Sequence, residues 1–213
     1  MIIEIKAPIS RGRGVDLQVR PPNGVTQASQ GHNGAMMFAA ETSSLSVAEL
    51  AERWRSVLAD PTLDDLPEGY RVELDQFGDL IVSPRPTNRH QVLAALVCDQ
   101  LRDALKGFAT AGELSITTQI GVRVPDGFWS ADATRWAMDG PAAHAPEICV
   151  EVASPSNSSA WLARKAQAFI AAGAQEVVVV AVDGASARYF HSDGAHESSR
   201  FVQLRFPLLG ADG

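Results

Sequence analysis

Two charged side chains stand in apolar surroundings on consecutive parts of the chain. Glu151 lies inside the apolar run 148–153, which predicts a strand covered on both faces. Lys165 lies on the apolar arc of the predicted helix that follows, between Trp161 and Phe169. A carboxylate in such a strand is costly unless it is paired or binds a metal ion. Two charges of opposite sign, on elements that pack together, therefore indicate a site.

A second carboxylate, Asp132, is expected in the strand predicted for FWSADATRW. If Asp132 and Glu151 come from adjacent strands and point to the same side, a hard cation such as Mg²⁺ would relieve their repulsion. That ion would lower the pKa of a bound water and neutralise charge growing on a phosphodiester. Lys165 would orient the water or stabilise the phosphate oxygens. This order of carboxylates and lysine is typical of metal-dependent nucleases, but the spacing alone is a weak signal.

Each of these residues also has a structural interpretation. Glu151 can pair with Lys165, and buried ion pairs are often no better than neutral for stability. Asp132 alone is more often a solvent-facing strand residue, and Lys165 can extend along the apolar face to place its ammonium in water. By local pattern, Glu73 falls on the exposed polar face of a hairpin, and His90 is a surface histidine in the first turn of a helix.

The elements that must position these residues follow from periodicity and turn signals. Ser46 begins a helix with Glu49 in capping-box position, and Asn88 can cap a long helix that runs through Lys106. One apolar strand on each side of the helix with Lys165 favours parallel pairing. The predicted strands are YRVEL, DLIVSP, LSITTQIGVRV, FWSADATRW, EICVEVAS, EVVVVAV and a closing hairpin of ASARYFHS with SRFVQLRF. The fold class is α/β (α+β), a mixed sheet flanked by helices in a single domain.

Composition limits the classes of fold and function. The chain has 213 residues and a net charge of −7, which gives no general attraction to nucleic acid. Cys98 and Cys149 have neither the number nor the spacing of a disulfide framework or a zinc site. The N-terminus does not have the pattern of a signal peptide and no apolar run reaches membrane-spanning length, so we expect a cytoplasmic protein with no membrane contact. Residues 1–44 predict a partly irregular extension, and 45–208 the folded domain.

Other catalytic patterns are missing from the sequence. It contains no Gly-x-Ser-x-Gly elbow, P-loop, dinucleotide fingerprint or zinc spacing. The serines between 154 and 159 are best explained as helix caps, and a helix N-terminus there can also accept a phosphate. His191 and His196 fall in a polar hairpin and receive no role.

Three segments of the chain resemble one known family. They are YRVELDQFGDLIVSPRPTNRHQVL, WSADATRW and PEICVEVASPSNSSAWLARKAQAFIAAGAQEVVVVAVD. The last is the most specific, and the likeness covers about three quarters of the chain, from Leu45 to Phe206. In these segments the chain resembles the Uma2 endonucleases, within the PD-(D/E)XK restriction-endonuclease-like superfamily.

The resemblance implies a set of site residues. Asp132 and Glu151 match metal ligands, Lys165 matches the superfamily lysine moved onto the following helix, and Glu73 and His90 match further polar positions near the site. Three positions depart from the family pattern. The usual proline before the first aspartate is Ala131, an aspartate before the lysine is Trp161, and a tyrosine after it is Phe169.

The function that the resemblance implies is a metal-dependent DNA endonuclease. Two carboxylates would hold Mg²⁺ or Mn²⁺, and a lysine would assist the water that attacks a phosphodiester. The alternative is a catalytically inactive module of the same fold that binds nucleic acid or dimerises. The expected partners are accordingly DNA as substrate and a second copy of the chain in a homodimer.

Overall fold

The computed structural model describes residues 3–5, 43–61, 63, 70–136, 138–155 and 157–209. Within these residues the α-helices are α1 (Val47–Leu58), α2 (Asn88–Ala104) and α3 (Ser159–Ala171), with a 3₁₀ turn at Ala133–Trp136. The strands are β1 (Ile3–Ile5), β2 (Tyr70–Leu74), β3 (Leu80–Pro84), β4 (Phe108–Thr110), β5 (Ile116–Thr118), β6 (Gly121–Arg123), β7 (Gly127–Ser130), β8 (Ile148–Val152), β9 (Glu176–Val180), β10 (Ala187–His191) and β11 (Gly194–His196).

A six-stranded sheet in the order β11-β10-β9-β8-β7-β4 forms the centre of the fold. β8 and β9 pair in parallel, as predicted, and the other neighbours pair antiparallel. Because successive side chains of a strand point to opposite faces, Val150 packs with the α2 side and Cys149 with the α3 side. The prediction of a mixed sheet flanked by helices is confirmed.

A second, smaller layer covers one side of the candidate site. The hairpin β2–β3 belongs to a three-stranded sheet in the order β1-β3-β2. Leu74 and Val82 of this hairpin pack with Trp54 of α1 and Val122 of β6. α1 begins at the predicted N-cap Ser46 and carries the predicted capping box. The core of this layer fixes β2, and with it the position of Glu73.

The connection between α2 and β7 differs from the sequence prediction. LSITTQIGVRV forms a hairpin of β5 and β6 instead of one strand. The chain turns back just before Gly121, the first residue of β6. Gly121 has φ +113° and lies so close to the Leu74 carbonyl that a Cβ would overlap the carbonyl oxygen. α2 ends at Ala104, two residues before the predicted end, and its N-cap is Thr87, whose hydroxyl accepts the His90 N–H.

Two predicted strands near the sheet edges also differ. β7 ends at Ser130, and the remainder of FWSADATRW forms the 3₁₀ turn. The closing hairpin is β10 with β11, and SRFVQLRF forms no strand. Its first backbone donors are used locally, because Ser199 Oγ accepts the N–H groups of Phe201 and Val202.

Most of the predicted N-terminal extension falls outside the described residues. Residues 6–42 belong to that part, whereas β1 pairs antiparallel with β3. The domain boundary at residue 45 stays a prediction. In the ranges given above, no helix is long and apolar enough to cross a membrane.

Candidate active site

A cleft of about 900 Å³ opens between the β2–β3 hairpin, the first turn of α2 and the junction of β8 with α3. Four charged side chains from four separate elements meet along its wall: Glu73 from β2, Asp126 from the β6–β7 connection, Glu151 from β8 and Lys165 from α3. Four of the residues predicted for the site therefore lie in one cleft: Glu73, His90, Glu151 and Lys165.

Lys165 provides the positive charge around which the acids are arranged. Its Nζ lies 2.9 Å from Glu151 Oε1 and 3.6 Å from Glu73 Oε1, and it donates to the Val124 carbonyl at 3.0 Å. The residue is only 7% exposed, so the ammonium does not reach bulk water along the helix face. Burial lowers the pKa of Lys165, but the charges of Glu151, Glu73 and Asp126 outweigh it and raise the pKa above its ordinary value.

The helical period of α3 places Lys165 on the helix face that packs against β8. Ser158 caps α3 by accepting the Trp161 N–H, and Lys165 follows two turns later, next to Ala166. Phe169, one turn further on, has its ring centroid 5.7 Å from the ammonium. This face of α3 packs on the side of β8 to which Glu151 points, because Glu151 has the same parity along the strand as Cys149.

Of the acids in the cluster, Glu151 is the one whose negative charge is least balanced by nearby positive charge. It is buried in a strand that is covered on both faces. Lys165 contacts both of its oxygens, and Oε1 has no hydrogen-bond partner of good geometry among the described residues. Burial is the largest influence and raises the pKa of Glu151 to about 8, against the lowering effect of Lys165; the charges of Asp126 and Glu73 raise it further.

Asp126 lies beside Glu151 and is held on both carboxylate oxygens. Oδ2 accepts the Val152 N–H at 2.9 Å and lies 2.8 Å from His90 Nε2, while Oδ1 accepts from Arg71 at 2.9 Å. Burial raises its pKa, but the close contact with His90 Nε2 and the charges of Lys165 and Arg71 hold the pKa well below the ordinary value. The pKa of Asp126 is therefore lowered, whereas the pKa of Glu151, its neighbour on β8, is raised.

Glu73 is buried, and its local interpretation as an exposed hairpin residue is wrong. Its Oε2 accepts from Arg123 at 3.0 Å, and its Oε1 accepts the Val124 N–H at 2.9 Å. Burial raises its pKa, but Lys165 and Arg123 lower it by more, so the pKa lies below the ordinary value. The face of β2 that the sequence assigned to solvent is covered by β6.

Asp132 does not join this cluster. In the antiparallel register of β7 with β8, Gly127 pairs with Val150 and Trp129 with Ile148, so the chain runs away from Glu151 as it approaches Asp132. Asp132 is exposed and absent from the cleft lining. Its Oδ1 accepts the Thr134 N–H at 2.9 Å and caps the 3₁₀ turn. The expectation that Asp132 and Glu151 face the same site is therefore wrong.

Asp126 is not among the residues predicted from the sequence, yet it lies beside Glu151 at the position expected for Asp132. The signal for it is the dipeptide Pro125-Asp126 in the connection from β6 to β7. This dipeptide has the proline that the family pattern places before the first aspartate. Asp126 reaches Glu151 because its own N–H donates to the Val150 carbonyl while its carboxylate accepts the Val152 N–H, so the aspartate brackets Glu151 along β8.

Trp161 lies at the cleft without blocking the cluster. Its ring is 5.2 Å from the guanidinium carbon of Arg123 and 5.9 Å from that of Arg164. Such cation–π contacts position the two guanidinium groups at the cleft. The bulky residue thus supports Arg123, which in turn holds Glu73.

The cleft is more basic than the rest of the protein. Six cationic side chains line it against four acidic ones, although the chain as a whole carries −7. Arg85 and Arg164 form no ion pair with any residue that the structure describes. The cationic residues are Arg71, Arg85, Arg89, Arg123, Arg164 and Lys165. A local positive field of this kind attracts a polyanion despite the negative net charge.

Comparisons with known proteins agree with the resemblance. The model of the Uma2 family, described as "Putative restriction endonuclease", matches residues 60–209. The chain is also similar to a crystal structure at 1.96 Å resolution, titled as a putative nuclease belonging to DUF820, from Anabaena variabilis ATCC 29413. That likeness has 18% sequence identity and a TM-score of 0.48, and it covers 68% of this chain and 88% of the other. No curated protein matches the chain.

Proposed function

The chain belongs to the Uma2 family of restriction-endonuclease-like nucleases, and on that basis we propose that it is a Mg²⁺-dependent endonuclease that hydrolyses phosphodiester bonds in DNA. The observation that carries the proposal is that Glu151 and Glu73 both pair with the Lys165 ammonium in a basic cleft, with Asp126 held beside Glu151. In this proposal Asp126 replaces Asp132 as the partner of Glu151.

The oxygen donors of the cleft suit a hard divalent cation. Mg²⁺ is bound through one or two carboxylates together with water and substrate phosphate oxygens. Asp126 and Glu151 supply two neighbouring carboxylates, and Glu151 Oε1 is a buried acceptor whose one ion-pair partner among the described residues is Lys165. The raised pKa of Glu151 supports the same reading, because it means that the buried charge lacks enough positive compensation. A bound Mg²⁺ would lower the pKa of a water and neutralise charge on the phosphodiester.

The chain's own residues would hold the substrate and the reacting groups. Lys165 keeps an ammonium at the cleft wall, where it can donate to the attacking water or to a phosphate oxygen. His90 orients Asp126, and Glu73 holds Lys165 from the opposite side. Arg85 and Arg164 are available for flanking phosphates, and the N-terminus of α3 presents its backbone donors to the same cleft.

Plasmid nicking with Mg²⁺ or Mn²⁺ tests the proposal. The variants Asp126→Asn, Glu151→Gln and Lys165→Met are compared with the wild type and with Asp132→Asn. Because removing one group that stabilises the transition state costs roughly 100-fold or more, we expect the first three to lose about that much. Asp132→Asn makes the same chemical change at an exposed residue outside the cleft and should nick like the wild type.

Two outcomes would contradict the proposal. Equal nicking by the wild type and all four variants would mean that the activity does not come from this cleft. No nicking by the wild type, combined with DNA binding that the Arg85→Ala variant weakens, would favour the alternative of an inactive nucleic-acid-binding module. Isothermal titration with Mg²⁺ adds an independent readout, since a module without a metal site gives no heat that depends on Glu151.

A further inference from the structure

The hairpin of β10 and β11 carries a second group of metal-ligand side chains, at the edge of the central sheet and away from the cleft. His191 ends β10, Asp193 lies in the two-residue turn, and His196 ends β11. His196 pairs with Tyr189, and His191 pairs with Gly194, so the two imidazoles are diagonal neighbours on one face. Their ring centroids are 4.6 Å apart, and one ligand atom from each of the three residues lies within 4.8 Å of the others.

A buried carboxylate fixes the protonation of His191. Its Nε2 lies 2.7 Å from Oε2 of Glu176, the first residue of β9. A carboxylate oxygen only accepts hydrogen bonds, so Nε2 is the donor, and in the neutral imidazole Nδ1 keeps its lone pair. His191 is 1% exposed, yet Nδ1 has no hydrogen-bond partner among the residues that the structure describes. Metal-binding histidines are commonly oriented in this way, with the second ring nitrogen donating to a carboxylate.

The supporting carboxylate is itself held in place. Ser199 Oγ donates to Glu176 Oε1 at 2.7 Å, and the Arg200 N–H donates to Glu176 Oε2 at 3.0 Å. The segment that follows β11 thus locks Glu176, which in turn locks the imidazole of His191. These hydrogen bonds hold the His191 imidazole in one orientation. In that orientation the buried Nδ1 has no hydrogen-bond partner among the described residues.

Asp193 and His196 supply the remaining donors. His196 Nε2 lies 2.9 Å from Asp193 Oδ1, and Arg200 lies 2.6 Å from Asp193 Oδ2. The hydrogen bond with His196 is the main cause that holds the pKa of Asp193 below its ordinary value, with Arg200 acting in the same direction. The carboxylates of Glu176 and Asp193 outnumber the one guanidinium, so the local charge favours a cation.

We propose that His191, Asp193 and His196 form a binding site for a divalent transition metal of the zinc class. Two imidazole nitrogens and one carboxylate oxygen suit Zn²⁺, whereas Mg²⁺ prefers oxygen donors only. With metal–ligand distances of about 2.1 Å, tetrahedral donors stand roughly 3.4 Å apart. The exposed Asp193 and the half-exposed His196 therefore have to move closer to the fixed His191, by at most about 1.4 Å from the 4.8 Å limit on their separation. Three protein ligands leave one position for water or for a ligand from outside.

The site is independent of the proposed nuclease function, and metal binding to the full chain tests it. Zn²⁺ affinity is measured by isothermal titration, and Co²⁺ is used as a spectroscopic probe, because tetrahedral Co²⁺ with nitrogen ligands absorbs much more strongly than aqueous Co²⁺. Asp193→Asn and His196→Gln change exposed or half-exposed side chains and should leave the fold intact. We expect each to weaken Zn²⁺ binding at least tenfold and to remove the tetrahedral Co²⁺ absorption.

Two controls locate the site. His144→Gln removes an exposed histidine from a different loop, and Asp126→Asn removes an acid from the cleft. His144→Gln should bind Zn²⁺ like the wild type, and Asp126→Asn should keep the tetrahedral Co²⁺ absorption, which comes from the hairpin. Wild-type affinity in Asp193→Asn and His196→Gln would overturn the proposal, and so would an equal loss of binding in His144→Gln. Loss of Zn²⁺ binding in Asp126→Asn alone would place the ion in the cleft and would also overturn it.

Discussion

Replacing Lys165 with methionine should make the free energy of unfolding fall more steeply with pH above pH 8 than it does in the wild type. Methionine keeps most of the apolar stem and removes the ammonium, so Glu151 and Glu73 lose the cation that they share. Removing one partner of a buried ion pair typically costs about 3–5 kcal/mol. Glu151 can limit this cost by taking up a proton, since its pKa is already raised to about 8 with the lysine present.

The sign of the pH dependence follows from proton linkage. A carboxyl group whose pKa is raised on folding contributes its full stability below the unfolded pKa, and this contribution is lost as the pH rises towards the folded pKa. In the wild type the loss due to Glu151 ends near pH 8. Lys165 is the largest influence that lowers the pKa of Glu151. Without Lys165, the pKa of Glu151 in the folded protein is higher, so the loss of stability continues above pH 8. The difference between the two proteins should therefore grow by about 1.4 kcal/mol per pH unit above pH 8.

Urea unfolding at pH 7, 8, 9 and 9.5 measures this difference. Arg164→Met is the matched control, because it removes an exposed cation one residue away and should change the free energy of unfolding by less than about 0.5 kcal/mol at every pH. In the double variant Glu151→Gln with Lys165→Met, the titrating group is gone, and the alkaline increase should disappear. A difference that stays constant from pH 7 to 9.5, or an increase that survives in the double variant, would refute the assignment of the raised pKa to Glu151.

Three further outcomes are expected. Mg²⁺ binding at pH 7 should release up to one proton from Glu151, because its pKa is raised to about 8 and the ion takes the ionised form; titration heats should then depend on the ionisation enthalpy of the buffer, and buffer-independent heats would contradict this. Gly121→Ala should destabilise the protein by about 3 kcal/mol or more, because the new Cβ overlaps a backbone carbonyl at positive φ; Gly112→Ala, which has room for a Cβ, is the control in chemical denaturation. Ser46→Ala should cost about 1 kcal/mol through loss of the capping box, whereas Ser44→Ala should leave the thermal midpoint unchanged.

The segment from β8 to β9 was predictable from sequence because its signals are local. A continuous apolar run, a capped helix and a second apolar run specify a strand, a helix and a parallel strand without reference to the rest of the chain. The same local periods put Glu151 and Lys165 on facing surfaces, and the structure brings them within 2.9 Å. Predictions that depend only on periodicity within one supersecondary unit therefore agree with the structure.

The other acids could not be assigned in this way, because their positions depend on contacts between distant segments. Asp132 was selected by its place in a predicted strand, but only the antiparallel register of β7 with β8 decides which aspartate lies beside Glu151. Glu73 has the alternation of an exposed residue, and only the packing of β6 against β2 buries it beside Arg123. Without that register, the sequence points to Asp132, which follows β7, whereas the acid beside Glu151 is Asp126, which precedes β7.

The partners of the three acids explain why only Glu151 has a raised pKa. Asp126 has Arg71, His90 and the Val152 N–H, and Glu73 has Arg123 and the Val124 N–H, so each has close partners in addition to the charge of Lys165. Among the described residues, the only cation in contact with Glu151 is Lys165, whose ammonium is shared with Glu73, while Arg71 acts on Glu151 without forming an ion pair with it. The cluster thus leaves Glu151 short of positive charge, and in the proposed function a divalent cation would supply it.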